Sequence, residues 1–158
     1  MSLATEDLPA AKIAAAVKSG GVSAREVVNA TLTRIEARNG ALGAFTDVTA
    51  ARALAKAEKI DAARARGESL GALAGAPFAA KNLFDIAGLP TRAGSKINRD
   101  LPPAAADATL IARMEAAGAI LVGGLNMGEY AYDFTGENVH DGPSRNPHDS
   151  NRDRKSGV

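Results

Sequence analysis

Cysteine is absent from all 158 residues, and that absence removes disulfide staples, thiolate zinc sites and cysteine nucleophiles together. Charge of a single sign is lacking too: 19 basic residues stand against 18 acidic ones, for a formal net charge of +1. With no dominant cluster of either sign, neither a nucleic acid nor an anionic membrane surface is indicated as a partner. No apolar run approaches the ~20 residues that a membrane-spanning helix needs. The N-terminus, Met1-Ser-Leu-Ala-Thr-Glu-Asp7, has neither the basic nor the apolar region of a signal peptide. Internal repeats and low-complexity segments are missing as well. These absences together predict a cytoplasmic protein. What is present, 46% hydrophobic and 23% charged residues, is ordinary for a soluble globular domain able to bury a real core.

Three amphipathic helices open the chain. Ile13, Ala14 and Val17 recur at helical spacing over residues 10–18, and Gly20-Gly21 stops that helix. Ser23-Ala-Arg-Glu26 matches a capping box, the serine meeting an orphan amide while Glu26 reaches back. The helix it opens carries Val27, Val28, Thr31, Leu32 and Ile35 along one face, and Asn39-Gly40 is expected to close it. After a brief extended link at Ala44-Phe45-Thr46, a third helix from about Thr49 to Arg64 presents Ala50, Ala53, Leu54, Ala57 and Ile60.

Beyond residue 70 the pattern changes from helices to short apolar runs and turns. Gly75 and Pro77 punctuate a turn, and Phe78 to Phe84 reads as a buried strand. Asp107 is expected to cap a helix with Leu110, Ile111, Met114 and Ala117 inward and Gly118 at its end. Ala119-Ile-Leu-Val122 reads as a strand covered on both faces, and the strand–helix–strand order predicts a parallel pair. Asn126-Met127 reads as the start of a further helix. Turn signals then crowd together at Thr135-Gly-Glu-Asn138, Asp141-Gly-Pro-Ser144 and Asn146-Pro-His-Asp149. The predicted organisation is a helical arm over 1–70, an α/β core over 71–152 and a tail over 153–158.

One residue breaks its surroundings. Lys81 stands in the middle of the apolar run, where a charged amine is costly unless paired or neutralised. Two readings follow from the residues alone. The stem packs while the ammonium reaches water, or the amine is desolvated until it serves as a base near neutral pH. Other candidates read as structural. Ser95 and Ser144 sit beside glycine or proline without a strand-to-helix elbow, so turn roles fit them. Glu137-Asn138 reads as a turn that steadies its loop. His140 and His148, eight apart in a polar loop, lie on no shared helical face, and no metal is expected there.

A series of short motifs adds to this. Leu73-Ala-Gly-Ala-Pro-Phe-Ala-Ala-Lys-Asn82 is followed by Gly88-Leu-Pro-Thr-Arg-Ala-Gly-Ser-Lys96 and Asp107-Ala-Thr109. Then come Ala116-Ala-Gly-Ala-Ile-Leu-Val-Gly123, Asn126-Met-Gly-Glu-Tyr130, Thr135-Gly-Glu-Asn138 and Gly142-Pro-Ser-Arg-Asn-Pro147. Each is weak alone, but in this order they resemble the amidase signature family from about residue 10 to Arg152. The variants Asn82-Leu-Phe-Asp85, Gly94-Ser-Lys-Ile-Asn98 and Val139-His-Asp-Gly-Pro143 resemble most its carboxybiuret-hydrolysing branch. The amidase chains of glutamyl-tRNA amidotransferases are similar but more distant.

The resemblance implies a mixed, largely parallel sheet covered by helices, and a hydrolase that uses a serine, a cis-peptide serine and a lysine without a cofactor. The lysine matches Lys81, which would take a proton from the cis-serine and so activate the nucleophile. Ala131 and Tyr132 match the segment lining the acyl side of the substrate pocket. The substrate implied is a small linear amide or urea-type compound. The N-terminal helices match those that hold a small companion subunit in related amidases built of several chains. The match fails after Arg152. Where the family has a glycine- and serine-rich loop, this sequence reads Asp153-Arg-Lys-Ser-Gly-Val158. Ser156 falls within a residue of the expected cis-serine, and no residue matches the nucleophile. These 158 residues alone are therefore expected to lack amidase activity and to be marginally stable, with apolar strand surface uncovered.

Overall fold

The computed structural model describes residues 8–133 and 137–153. Its helices begin where local chemistry starts them. Helix α1, Ala10–Ser19, follows Pro9 and buries Ile13, Ala14 and Val17. Gly20, at φ 79°, ends it, and the Gly21 amide donates back to Ala16 O over 2.9 Å. Helix α2, Ala24–Leu42, opens on the expected capping box: Glu26 N donates to Ser23 Oγ at 3.0 Å, and Ser23 N to Glu26 Oε2 at 2.8 Å. Asp61 completes this terminus by accepting from the amides of Ala24 and Arg25 at 2.8 and 3.1 Å. It stands on helix α3, Ala50–Ala65, so one helix caps another.

Three strands form a mixed sheet: β1 is Phe45–Val48, β2 is Pro77–Lys81 and β3 is Ile120–Leu125, in the order β1-β3-β2. Strand β1 runs antiparallel to β3, with Val48 opposite Gly123 and Phe45 opposite Leu125. Strand β2 runs parallel to β3, because Ile120 N donates to Ala76 O at one end and Asn82 N to Leu125 O at the other. Helix α4, Thr109–Ala116, lies between β2 and β3 in sequence, the crossover that a parallel pair requires. A short hairpin follows, β4 at Arg145–Asn146 against β5 at Asp149–Asp153, with the expected turn between them.

Several expectations are corrected. Helix α2 does not stop at Asn39-Gly40; it continues to Leu42, and Gly43 at φ 57° ends it. Asn39 instead grips Phe45, accepting from its amide at 2.7 Å and donating to its carbonyl at 2.9 Å. The link at 44–46 accordingly enters strand β1. The strand at 78–84 ends at Lys81; Pro77 to Ala80 are half-buried rather than buried, and Lys81 is exposed. Helix α4 starts at Thr109, and Leu110 is exposed, since Ile111 alone of its apolar residues is fully buried. Among the described residues no α-helix follows Asn126; the chain makes a 3-10 turn at Glu129–Ala131. The N-terminal heptapeptide, Thr135-Gly136 and the tail from Arg154 with Ser156 lie outside the described residues.

The chain forms two compact units interleaved in sequence. One gathers the described residues up to Arg34 with Thr49–Ala79 and Ala112–Val122; the other gathers Ile35–Val48, Ala80–Ile111 and the described residues from Gly123 on. They are built differently. The first unit has an apolar core of Val17, Val27, Val28, Ile60, Ile120 and Leu121, closed by alanines such as Ala53, Ala57 and Ala74. The second buries Ile35, Ile86, Ile111 and Met127, and with them Asn82, Ser95, Asn126, Asn138 and Ser144.

Two glycines test the account. A Cβ on Gly118, at φ 94°, would sit 2.9 Å from Ala74 Cα, so Gly118→Ala should destabilise by about 2 kcal/mol in urea unfolding. Gly40 lies inside α2 with nothing within 4 Å of such a Cβ. Gly40→Ala should therefore stabilise by about 0.5–1 kcal/mol through helix propensity alone.

Candidate active site

Lys81 is the last residue of β2, at the carboxyl end of a strand that pairs in parallel. Open α/β sheets bind their ligands at such strand ends. The side chain is exposed, and among the described residues its amine has neither a hydrogen bond nor an ion pair. The buried amine suggested by the apolar run is thus corrected. The reason is geometric: the run stops being a strand at Lys81, and the chain turns, with Phe84 N donating to Lys81 O.

The next residue is buried. Asn82, only 4% exposed, is tied on every side. Its amide donates to Leu125 O and its carbonyl accepts from Ala93 N, both at 3.0 Å. Its side-chain oxygen accepts from Gly94 N at 3.0 Å, and its Nδ2 donates to Thr46 Oγ1 at 3.2 Å. This fastens the turn Arg92-Ala-Gly-Ser95 to the end of β2. Gly94 cannot be replaced there, since at φ 68° a Cβ would lie 2.7 Å from Met127 O.

From that turn, contacts reach the rest of the second unit. Ala93 O accepts from Tyr130 N at 2.8 Å, and Gly94 O accepts from Asn138 Nδ2 at 2.8 Å. Asn138 also accepts from the amides of His140 and Asp141, which makes it the turn-former expected of Glu137-Asn138. Ser95 Oγ donates to Glu129 Oε1 at 2.6 Å, and His140 Nε2 stands 3.4 Å from the same oxygen. The Ser95 hydroxyl, aided by the His140 charge, holds the Glu129 carboxyl below the ordinary glutamate range. Arg92 lies 3.3 Å from Asp47 and 3.8 Å from Asp141, and Arg99 pairs with Asp141 too. Ser144 Oγ donates to Gly43 O at 3.1 Å, a turn role.

Ala131 and Tyr132 close the 3-10 turn and are exposed, Tyr132 to 85%. Tyr130 and Ala131 hold left-handed backbone, at φ 48° and 61°, as does Ala93 at 49°. Three non-glycine residues in that region, two of them hydrogen-bonded to each other, mark a segment that its neighbours over-determine. Lys81, Ala131 and Tyr132 all belong to the second unit. His148 sits exposed in the hairpin turn, and among the described residues no three His, Asp or Glu side chains gather as metal ligands do. Asn82, Glu129 and Arg92 were not singled out by sequence; an asparagine beside an apolar run was the visible signal for the first. A separate cleft of about 200 Å³, lined by Ile13, Val27, Thr31 and Arg34, lies in the first unit.

Comparison with known proteins places this geometry in a family. A family model described as Amidase matches residues 26–157. AtzE, the 1-carboxybiuret hydrolase subunit of Pseudomonas sp. (strain ADP), is 60% identical over 136 residues, 86% of this chain and 30% of that protein. A glutamyl-tRNA(Gln) amidotransferase subunit from Anaeromyxobacter dehalogenans (strain 2CP-C) is 48% identical over 139 residues, 87% of this chain and 28% of that one. A solved inhibitor-bound vestigial protein complex of an s-triazine catabolic enzyme matches with TM-score 0.89 at 57% identity, over 90% of this chain and 31% of that one. A bacterial aryl acylamidase of the amidase signature enzymes matches with TM-score 0.81 at 33% identity, over 90% of this chain and 30% of that one. The chain belongs to the amidase signature family, and its α/β fold is part of that family's fold. It spans about 30% of the length of the curated relatives it matches.

The Glu129 carboxylate gives a pH signature. Its folded value is depressed, so its favourable contribution is complete above the ordinary glutamate value and lost as pH falls through the lower folded one. Ser95→Ala should return the carboxyl toward its ordinary value, read by carboxyl-carbon NMR titration. An unchanged titration would contradict the Ser95 assignment.

Proposed function

We infer that this chain supplies the lysine-bearing part of an amidase that hydrolyses the C–N bond of a small linear amide or urea-type compound. Lys81 is the relay base, taking a proton through a cis-peptide serine so that a second serine can attack the carbonyl. Ala131 and Tyr132 line the acyl side of the pocket. The observation that carries this reading is the position of Lys81 at the carboxyl end of a parallel strand, next to a fully hydrogen-bonded Asn82. The urea-type substrate is supported by 60% identity to a protein named for carboxybiuret hydrolysis.

The exposure of Lys81 bears directly on the mechanism. A neutral amine is favoured by a dry site, and the described residues leave this one in water. Relatives about three times as long have the further chain from which a roof over the amine would come. The reading therefore assigns these 158 residues a part of the machinery, without amidase activity by themselves. The uncovered apolar side chains fit that assignment: Val48, Leu83, Ile97, Leu101, Leu110, Tyr130, Tyr132 and Val139 are exposed, and all lie in the second unit. The setting we propose is cytoplasmic.

A second reading rests on the first unit. The cleft beside α1 and α2, and the solved relative described as a protein complex, favour a non-catalytic role in which these helices hold a small companion subunit.

The first reading is tested in a chimera. Residues 10–152 replace the matching segment of the AtzE relative, and hydrolysis of its urea-type substrate is measured. Lys81→Ala should lower kcat by about a thousandfold or more, the scale on which nucleophile-activating groups act. Retention of activity within a few-fold would remove Lys81 from the mechanism and leave the companion-subunit reading. The unfused chain should show no hydrolysis.

A further inference from the structure

Among the described residues, the second unit contains three left-handed non-glycine residues, Ala93, Tyr130 and Ala131. Such backbone persists only where the surroundings hold it. Following the hydrogen bonds outward from Tyr130 leads to one side chain. Tyr130 N donates to Ala93 O; Ala93 N donates to Asn82 O, and Gly94 N to Asn82 Oδ1. Asn82 is itself anchored to β3 through Leu125 and to β1 through Thr46.

We propose that Asn82 is the positioning residue of this site: its side-chain oxygen fixes the Arg92–Ser95 turn, which in turn holds Tyr130–Ala131 left-handed and presents Ala131 and Tyr132 at a set place relative to Lys81. The function of that presentation rests on the amidase reading, but the mechanical link does not. Asn82 follows Lys81 directly, so one residue sets both the base and the pocket segment. The chemistry needed is an acceptor for Gly94 N within a site too dry for water to substitute. Aspartate keeps that acceptor and alanine does not. The Thr46 hydroxyl already donates its one proton to Asp47 Oδ2 at 2.9 Å, so aspartate keeps only the Gly94 half of the anchor, the half on which the proposal turns.

The test uses hydrogen exchange read by mass spectrometry, on the 158-residue chain at low micromolar concentration and on the chimera. In Asn82→Ala, peptides covering 92–95 and 129–132 should exchange at least about tenfold faster, while those covering Ala53–Ile60 of α3 stay unchanged. Asn82→Asp should keep the wild-type protection. Protection of 129–132 that survives Asn82→Ala overturns the proposal, as does a loss shared equally by α3. If the alanine variant does not fold, Asn82→Asp decides alone: loss of protection at 129–132 with α3 intact overturns it. In the chimera, Asn82→Ala should lower kcat at least about tenfold, and Asn82→Asp should restore it to within about threefold. An inert Lys81→Ala change beside the expected exchange pattern would sink the amidase reading and leave the clamp standing; the reverse pattern would sink the clamp alone.

Discussion

A primary amide taken out of water has to find partners for both its oxygen and its nitrogen, or it costs the fold more than an apolar group of the same size. At Asn82 that requirement is met by Gly94 on one side and Thr46 on the other, while the backbone of the same residue binds Leu125 and Ala93. A single position thereby joins all three strands of the mixed sheet to the loops beyond them. Most of what the second unit does follows from this knot. The Arg92–Ser95 turn is placed by it, and Ser95 and Gly94 then reach Glu129 and Asn138.

The contrast between the units is a contrast of forces. In the first, burial is non-directional: valines, isoleucines and alanines on α1, α2 and α3 pack wherever volume permits, and the polar exceptions are helix ends such as Asp61 on the amides of α2. In the second, five buried asparagines and serines fix the loops by directional bonds. Hydrogen-bonded loops hold a backbone in costly conformations in a way that apolar packing does not, which is why the left-handed residues Ala93, Tyr130 and Ala131 are found there.

Apolar side chains on the surface of the second unit complete the picture. Tyr132 and Val139 are almost entirely exposed, and Ile97 nearly so. Among the described residues these have no counterpart in the first unit, whose large apolar groups are buried or half-buried. The chain spans under a third of its curated relatives, and this surface is where the proposed mechanism needs further protein, both to dry the amine of Lys81 and to bring the serines.

Much of the helical half was legible because periodicity and capping are local. Ile13 and Val17, or Ser23 and Glu26, meet within one or two turns, and no distant residue is needed to predict them. The order of the short motifs was enough to mark the family and to single out Lys81. Tertiary structure decided what local pattern could not: that Lys81 faces solvent because its strand ends there, that Leu110 lies outside, and that the link after α2 is a strand held by Asn39. Above all it decided the partners of Asn82 and Glu129, which stand 12 and 34 residues away at Gly94 and Ser95. Such bonds depend on how the sheet brings loops together, and no repeat or spacing in the sequence encodes that.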